Sequence, residues 1–283
     1  MFNIPLIITR LTLREAARRK ILWAGLIFGL LFLVVYGLGF HFMHVDIERS
    51  MQSSGGLGYL GMQEVYSFLT LSGLYAVNFL AIAISALTSI DTLSGEITSG
   101  TIQVLATKPL KRWQIVLGKW LGFVLMTSLY LLLMAGGTLA IVYALSGYLP
   151  VHLWRGFGLL WLNAVLILSL SFLGGSLLST LANGVVIFGL YGVAFIGGWV
   201  EQFGAYLGNE VAVKIGVISS LILPSEALWK RAMYELQSPL VSSLNFSPFM
   251  ALSVPSALMI VYAMVYALAC LLLAIHNFGR RDL

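Results

Sequence analysis

Charge is the scarcest commodity in this chain. Only 10% of its 283 residues are Asp, Glu, Lys or Arg, 59% are apolar, and mean hydropathy is +0.95. Soluble domains carry about 25% charged residues, so the scarcity excludes an ordinary soluble domain and points to an integral membrane protein. Cysteine is almost missing: Cys270 stands alone in an apolar run, which excludes an intrachain disulfide and a cysteine-based metal site. No G-x-x-x-x-G-K-[ST] sequence occurs, so the chain brings no P-loop of its own. The long apolar runs lack Asp, Glu, Lys and Arg in their interiors. That argues against a proton-driven carrier, which needs ionisable groups inside the membrane, although a Na⁺ site built from carbonyls would escape the test. The net charge of +5 records topology and contact with anionic lipid rather than nucleic-acid binding.

What is present is a series of apolar runs. At about 1.5 Å rise per residue, about 20 residues cross a 30 Å hydrocarbon core. Residues 21–40, 65–90 and 120–146 each suffice. Residues 156–200 carry no charge and are too long for one helix. The turn signal from Ser179 to Gly184 divides them into 156–179 and 184–200. The sixth run is 251–275, with Pro255 tolerable in a first turn. The basic residues before position 21 are followed by a full-length run with no small-x-small site, so the segment reads as a retained span rather than a signal peptide. Residues 201–250 form the larger external region. Within it Val211–Leu223 is apolar but short and carries Lys214, which suits a re-entrant or interfacial segment. A helix start follows at Pro224-Ser225-Glu226.

Eleven of the sixteen basic residues fall on one side of this arrangement. They are Arg10, Arg14, Arg18, Arg19 and Lys20; Lys108, Lys111, Arg112 and Lys119; and Arg280 and Arg281. The positive-inside rule makes that side cytoplasmic, with both termini there. The expectation is an all-α integral membrane domain over residues 1–283, multi-pass in the cytoplasmic (inner) membrane, with six transmembrane helices.

Several constellations carry little chemistry. Gly56-Leu57-Gly58-Tyr59-Leu60-Gly61 matches GxGxxG but lies between spans rather than in a βαβ unit. His41, His44, Asp46 and Glu48 suit a divalent cation in type, but with neither ligand spacing nor a fixed backbone geometry secured they read as a hydrated loop at the membrane surface. Asn78, Asn163, Tyr130, Tyr262 and Tyr266 read as interhelical hydrogen bonds or as a polar facing on a path. Near the N-terminus, Arg10, Arg14 and Arg18 recur every four residues on one helix face. Glu15 precedes Arg19 by four, the favourable order for an ion pair, and Leu6, Leu13 and Ala17 form a neighbouring strip. This is either an interfacial helix on residues 1–20 or a topogenic charge cluster.

The densest polar segment between two apolar runs is 91–119, DTLSGEITSGTIQVLATKPLKRWQIVLGK. Its Ser, Thr and Gly form turns and caps. Lys108-Pro109 breaks a short helix, and Pro109 suits the first turn of the next. Either this is an ordinary basic loop or it is a helical bracket presented to a partner.

Asp91, Glu96, Ser99-Gly100-Thr101, Leu105, Pro109, Arg112 and Gly118-Lys119 resemble the E-x(2)-SGT-x(3)-L-x(3)-P-x(2)-R-x(5)-GK stretch of ABC-2-type exporter permeases. The C-terminal Phe278-Gly279-Arg280-Arg281-Asp282 is similar to the family's ending. Among subgroups the chain is similar to permeases that pair with a separate ATPase, one group of which serves nitrous oxide reductase maturation, with nothing in the residues that singles out that cargo. The resemblance implies a permease homodimer or heterodimer above two ATPase subunits, which bind the ATP and Mg²⁺; the permease itself binds no cofactor and has no catalytic residue. It implies that 91–119 is the coupling region, with the Arg10, Arg14 and Arg18 helix beside it. An external accessory protein is a further partner to consider. The rival readings are a stand-alone carrier or channel and a non-transporting scaffold.

Overall fold

The computed structural model describes residues 3–54, 59–95, 111–237 and 253–280. They form nine helices, with no strand among the described residues: α1 (Asn3–Arg18), α2 (Lys20–Ser54), α3 (Tyr59–Ser89), α4 (Arg112–Ser146), α5 (Leu153–Leu177), α6 (Thr180–Tyr206), α7 (Glu210–Ile222), α8 (Ser225–Leu236) and α9 (Ala257–Arg280). Six of them, α2, α3, α4, α5, α6 and α9, are long and apolar enough to cross a membrane. Helices satisfy every backbone N–H and C=O within the segment, which hydrocarbon demands. The chain is an all-α, multi-pass membrane protein.

The spanning helix α5 is the pillar of the bundle. It is apolar on all sides, as a fully surrounded helix should be, and it packs against α3, α4, α6, α8 and α9. Asn163 of α5 donates to Asn78 Oδ1 of α3 at 3.1 Å, and both side chains are buried. Asn183 in the second turn of α6 donates to Ser171 O of α5 at 3.0 Å and to Ile90 O at 3.1 Å. These contacts fix three helices at one end. The α5–α6 turn is tighter than the Ser179–Gly184 signal suggests: α5 ends at Leu177 and α6 resumes at Thr180.

The helix α2 runs on well past the expected end of the first apolar run. It has 35 residues, about 52 Å at helical rise. The His41–Glu48 cluster is therefore helical rather than a loop. Its outer part is held to α3 and α4 by Phe40, Tyr66 and Val142. His44 Nδ1 lies 2.6 Å from Tyr66 Oη, and His44 Nε2 lies 3.4 Å from Glu48. A local polar cluster does not end a helix when neighbouring helices supply partners.

The short apolar run at 211–223 turns back. Chain α7 descends along α6, and α8 leaves it at a bend of 106°. The entry, Glu210, follows directly on the end of α6, and the exit, Leu236, packs on Gly156 at the start of α5. Those two points share one end of the α5–α6 hairpin, so α7–α8 is a re-entrant pair that enters and leaves on the same side. At 13 residues, about 20 Å, α7 is too short to cross. Its seam with α6 is lined by Gly197, Gly204 and Gly216. A Cβ on Gly216 would meet Gly197 O at 2.7 Å and also the Glu201 side chain. Small residues let the backbones approach this closely.

Candidate functional site

The ends of α1, α3, α4 and α9 and the start of α6 meet at the other end of the bundle, where the 91–119 segment begins and finishes. Here α1 lies across the foot of α4. A Cβ on Gly118 would sit 2.7 Å from Ile8 Cβ and 2.8 Å from Pro5 O. One on Gly122 would sit 2.8 Å from Thr12 Cβ. Thr9 Oγ1 is 2.9 Å from both Pro5 O and Gly118 O. The face of α1 turned to α4 is thus Pro5, Ile8, Thr12 and Ala16. Leu6 and Ala17 are exposed, and only Leu13 of the expected strip joins the packing. Arg10, Arg14 and Arg18 line the exposed side.

Arg19, at the α1–α2 junction, joins these parts electrostatically. It donates to Glu15 at 2.8 Å and to Asp91 at 2.5 Å. Burial works against its charge, but the two carboxylates outweigh it and hold the guanidinium above its ordinary pKa. Lys119 is buried and within electrostatic reach of Glu15, Arg19 and Asp91. It therefore faces the interior of this platform rather than a partner.

Both flanks of the polar segment are anchored. On one side Thr92, Leu93 and Ser94 are buried. Leu93 packs with Ala16, Val116, Phe123, Phe172 and Phe278, and Ser94 Oγ lies 2.8 Å from Thr180 Oγ1. On the other, Gln114 accepts the Lys111 backbone N–H at 3.1 Å at the start of α4. Arg112 donates to Gly279 O at the end of α9 at 3.1 Å, where a cation meets otherwise unpaired helix carbonyls. Glu96, Ser99, Gly100, Thr101, Leu105 and Pro109 lie outside the described residues. Of the coupling set, the structure brings Asp91 and Lys119 to the Arg19 cluster and places Arg112 on α9.

The sequence reading found the Glu15–Arg19 spacing but missed Arg19–Asp91, whose partners are too far apart in the chain for any local signal. It also missed a second charged site. Lys230 of α8 and Glu201 of α6 pair at 2.8 Å with both side chains 5% exposed, and Glu226 is buried beside them. The sequence reading ended the fifth span at residue 200, one short of Glu201, whereas α6 runs on to Tyr206 and carries Glu201 inward, and α8 brings Glu226 and Lys230 to it.

A family model described as ABC-2 family transporter protein matches residues 6–283. No curated protein matches the chain.

Proposed function

The chain belongs to the ABC-2 transporter family as a transmembrane permease component, and on that premise we propose that it is the translocation subunit of an ATP-driven exporter. Two copies of a separate ATPase subunit bind and hydrolyse ATP with Mg²⁺, and two permease chains, identical or not, enclose the path. Both termini and the 91–119 segment face the cytoplasm, and the membrane is the cytoplasmic (inner) one. Among known members of the family, permeases pair with an ATPase and dimerise.

The observation that carries the reading is the double anchoring of the polar segment. One flank is fixed to α6 and the Arg19 cluster, the other to α9. A push delivered between residues 95 and 111 would reach α3 and α4 directly and α1, α6 and α9 through these contacts. Closure of an ATPase pair against Glu96, Ser99, Gly100, Thr101, Leu105 and Pro109 would then tilt α3 and α4 together. Asp91, Arg112 and Lys119 act in this scheme by holding the bracket to the bundle, and Arg10, Arg14 and Arg18 act on lipid or partner beside it.

The test is Glu96→Ala and Arg112→Ala in the assembled transporter. Each should leave the membrane fold intact while weakening ATPase binding or separating hydrolysis from export. Retention of both binding and full export in both variants would contradict the assignment. An ATPase that binds and turns over with no substrate moved would favour the scaffold reading.

A further inference from the structure

The second charged site sits deep in the bundle. Tyr75, whose ring lies 4.9 Å from that of Trp229 of α8, is at the middle of α3. A small cavity of about 30 Å³ opens there, walled by Tyr75, Trp199, Gln202, Glu226, Trp229 and Lys230. That is room for about one water.

Glu226 projects from the first turn of α8 into this wall and is 4% exposed. It packs on Gly198, where an added Cβ would meet its Cβ and Cγ at 3.0 Å. Its Oε1 has no hydrogen-bond partner among the described residues. The charges nearby do not balance. Lys230 Nζ lies 2.8 Å from Glu201 without an aligned hydrogen bond, and it also attracts Glu226, four residues before it on α8, so one ammonium serves two carboxylates. The other ionisable side chains near Glu226 on the elements packed against it are the phenols of Tyr75 on α3 and Tyr191 on α6. Further along α8, Arg231 and Glu235 pair with each other at 2.7 Å, and Glu235 also meets Arg155 at 3.5 Å. The α8 N-terminus favours a carboxylate only weakly, whereas an unpaired buried carboxylate is strongly disfavoured. A metal ion is a poor remedy, because hard cations take six or more oxygens and the cavity wall offers few oxygens and includes the Lys230 ammonium.

We propose that Glu226 is a proton-binding site: it holds one proton from the aqueous side that α7–α8 enters, and the neutral acid keeps the re-entrant pair docked on α6. Protonation turns a lone acceptor into a donor within reach of the cavity. Loss of that proton leaves a net negative charge in the interior and favours undocking of α7–α8. The site is independent of which cargo the permease moves.

Infrared spectroscopy of the full chain in lipid nanodiscs tests this. Near neutral pH the wild type should show the carbonyl stretch of a protonated carboxyl, shifted in D₂O, absent from Glu226→Gln, kept in Glu210→Gln at the exposed start of α7, and weakened in Glu201→Gln, which frees Lys230 to pair with Glu226. Raising the pH until the band disappears should speed amide exchange across residues 210–236 by roughly tenfold in the wild type and not in Glu226→Gln. A missing band, a band that survives Glu226→Gln, or a Glu226→Gln chain that fails to fold would overturn the proposal, since Gln mimics the state assigned to Glu226.

Discussion

The two ends of the bundle handle charge in opposite ways. At the platform end, Arg19, Glu15 and Asp91 are half exposed and joined by side chains that solvent reaches. At the re-entrant end, Lys230 and Glu201 are sealed from solvent and Glu226 shares their site, its Oε1 without a hydrogen-bond partner among the described residues. The same residue types therefore do different work. Exposed pairs contribute little stability and remain free to re-form with a partner. Buried pairs are committed, because removing one member strands the other. The platform suits a surface that exchanges contacts, and the re-entrant site suits a fixed joint.

Breaking the joint should have the largest effect. Lys230→Ala leaves Glu201 buried and unpaired and should cost about 3–5 kcal/mol, read as a large fall in the detergent unfolding midpoint. Lys230→Met with Glu201→Leu should recover most of that loss. If the single variant is as stable as the wild type, the site is wetter than its burial implies. Next comes the backbone seam of the platform. Gly118→Ala drives a Cβ into Ile8 and the Pro5 carbonyl, and should cost about 1–3 kcal/mol while loosening α1, seen as faster amide exchange over residues 3–18. Arg19→Ala removes a part-exposed ion pair and should cost no more than about 1 kcal/mol. Its larger effect should be on the link between ATP hydrolysis and transport, because it detaches Asp91 from α1. Smallest is the triple change Arg10, Arg14 and Arg18 to Ala, which should leave the unfolding midpoint in place and reduce only the anionic lipid that co-purifies, measured by native mass spectrometry.

Much of this contrast was half legible in the sequence. The apolar runs announced six helices, since a 20-residue stretch without charge has few alternatives. The face of Arg10, Arg14 and Arg18 was legible because i, i+4 spacing is a local property of the helix. The packing face of α1 was not. In a membrane protein the apolar side of a helix can turn to lipid, and here Leu6, Ile7 and Leu11 are exposed while Thr9 and Thr12 meet α4. Lys119 looked like a surface cation at a helix foot, and only the folding of α1 over Gly118 and Gly122 buries it. Likewise α2 runs through His41 to Glu48 because Tyr66 offers His44 a partner across the helix pair. The re-entrant joint was the least legible. Hydropathy marked 211–223 as short, but nothing local tells that the polar helix after it, which bears Glu226 and Lys230, folds back against Gly198 and Glu201.

The central claim is that the platform receives force from a separate ATPase. Purification of the tagged chain from its native membrane in mild detergent, with the partners identified and ATP hydrolysis measured on the eluate, tests it most directly. The account predicts an ATPase bearing its own P-loop, recovered with the wild type and lost or uncoupled with Glu96→Ala. A chain that elutes without any ATPase, or a Glu96→Ala chain that retains it with full coupling, would contradict the account.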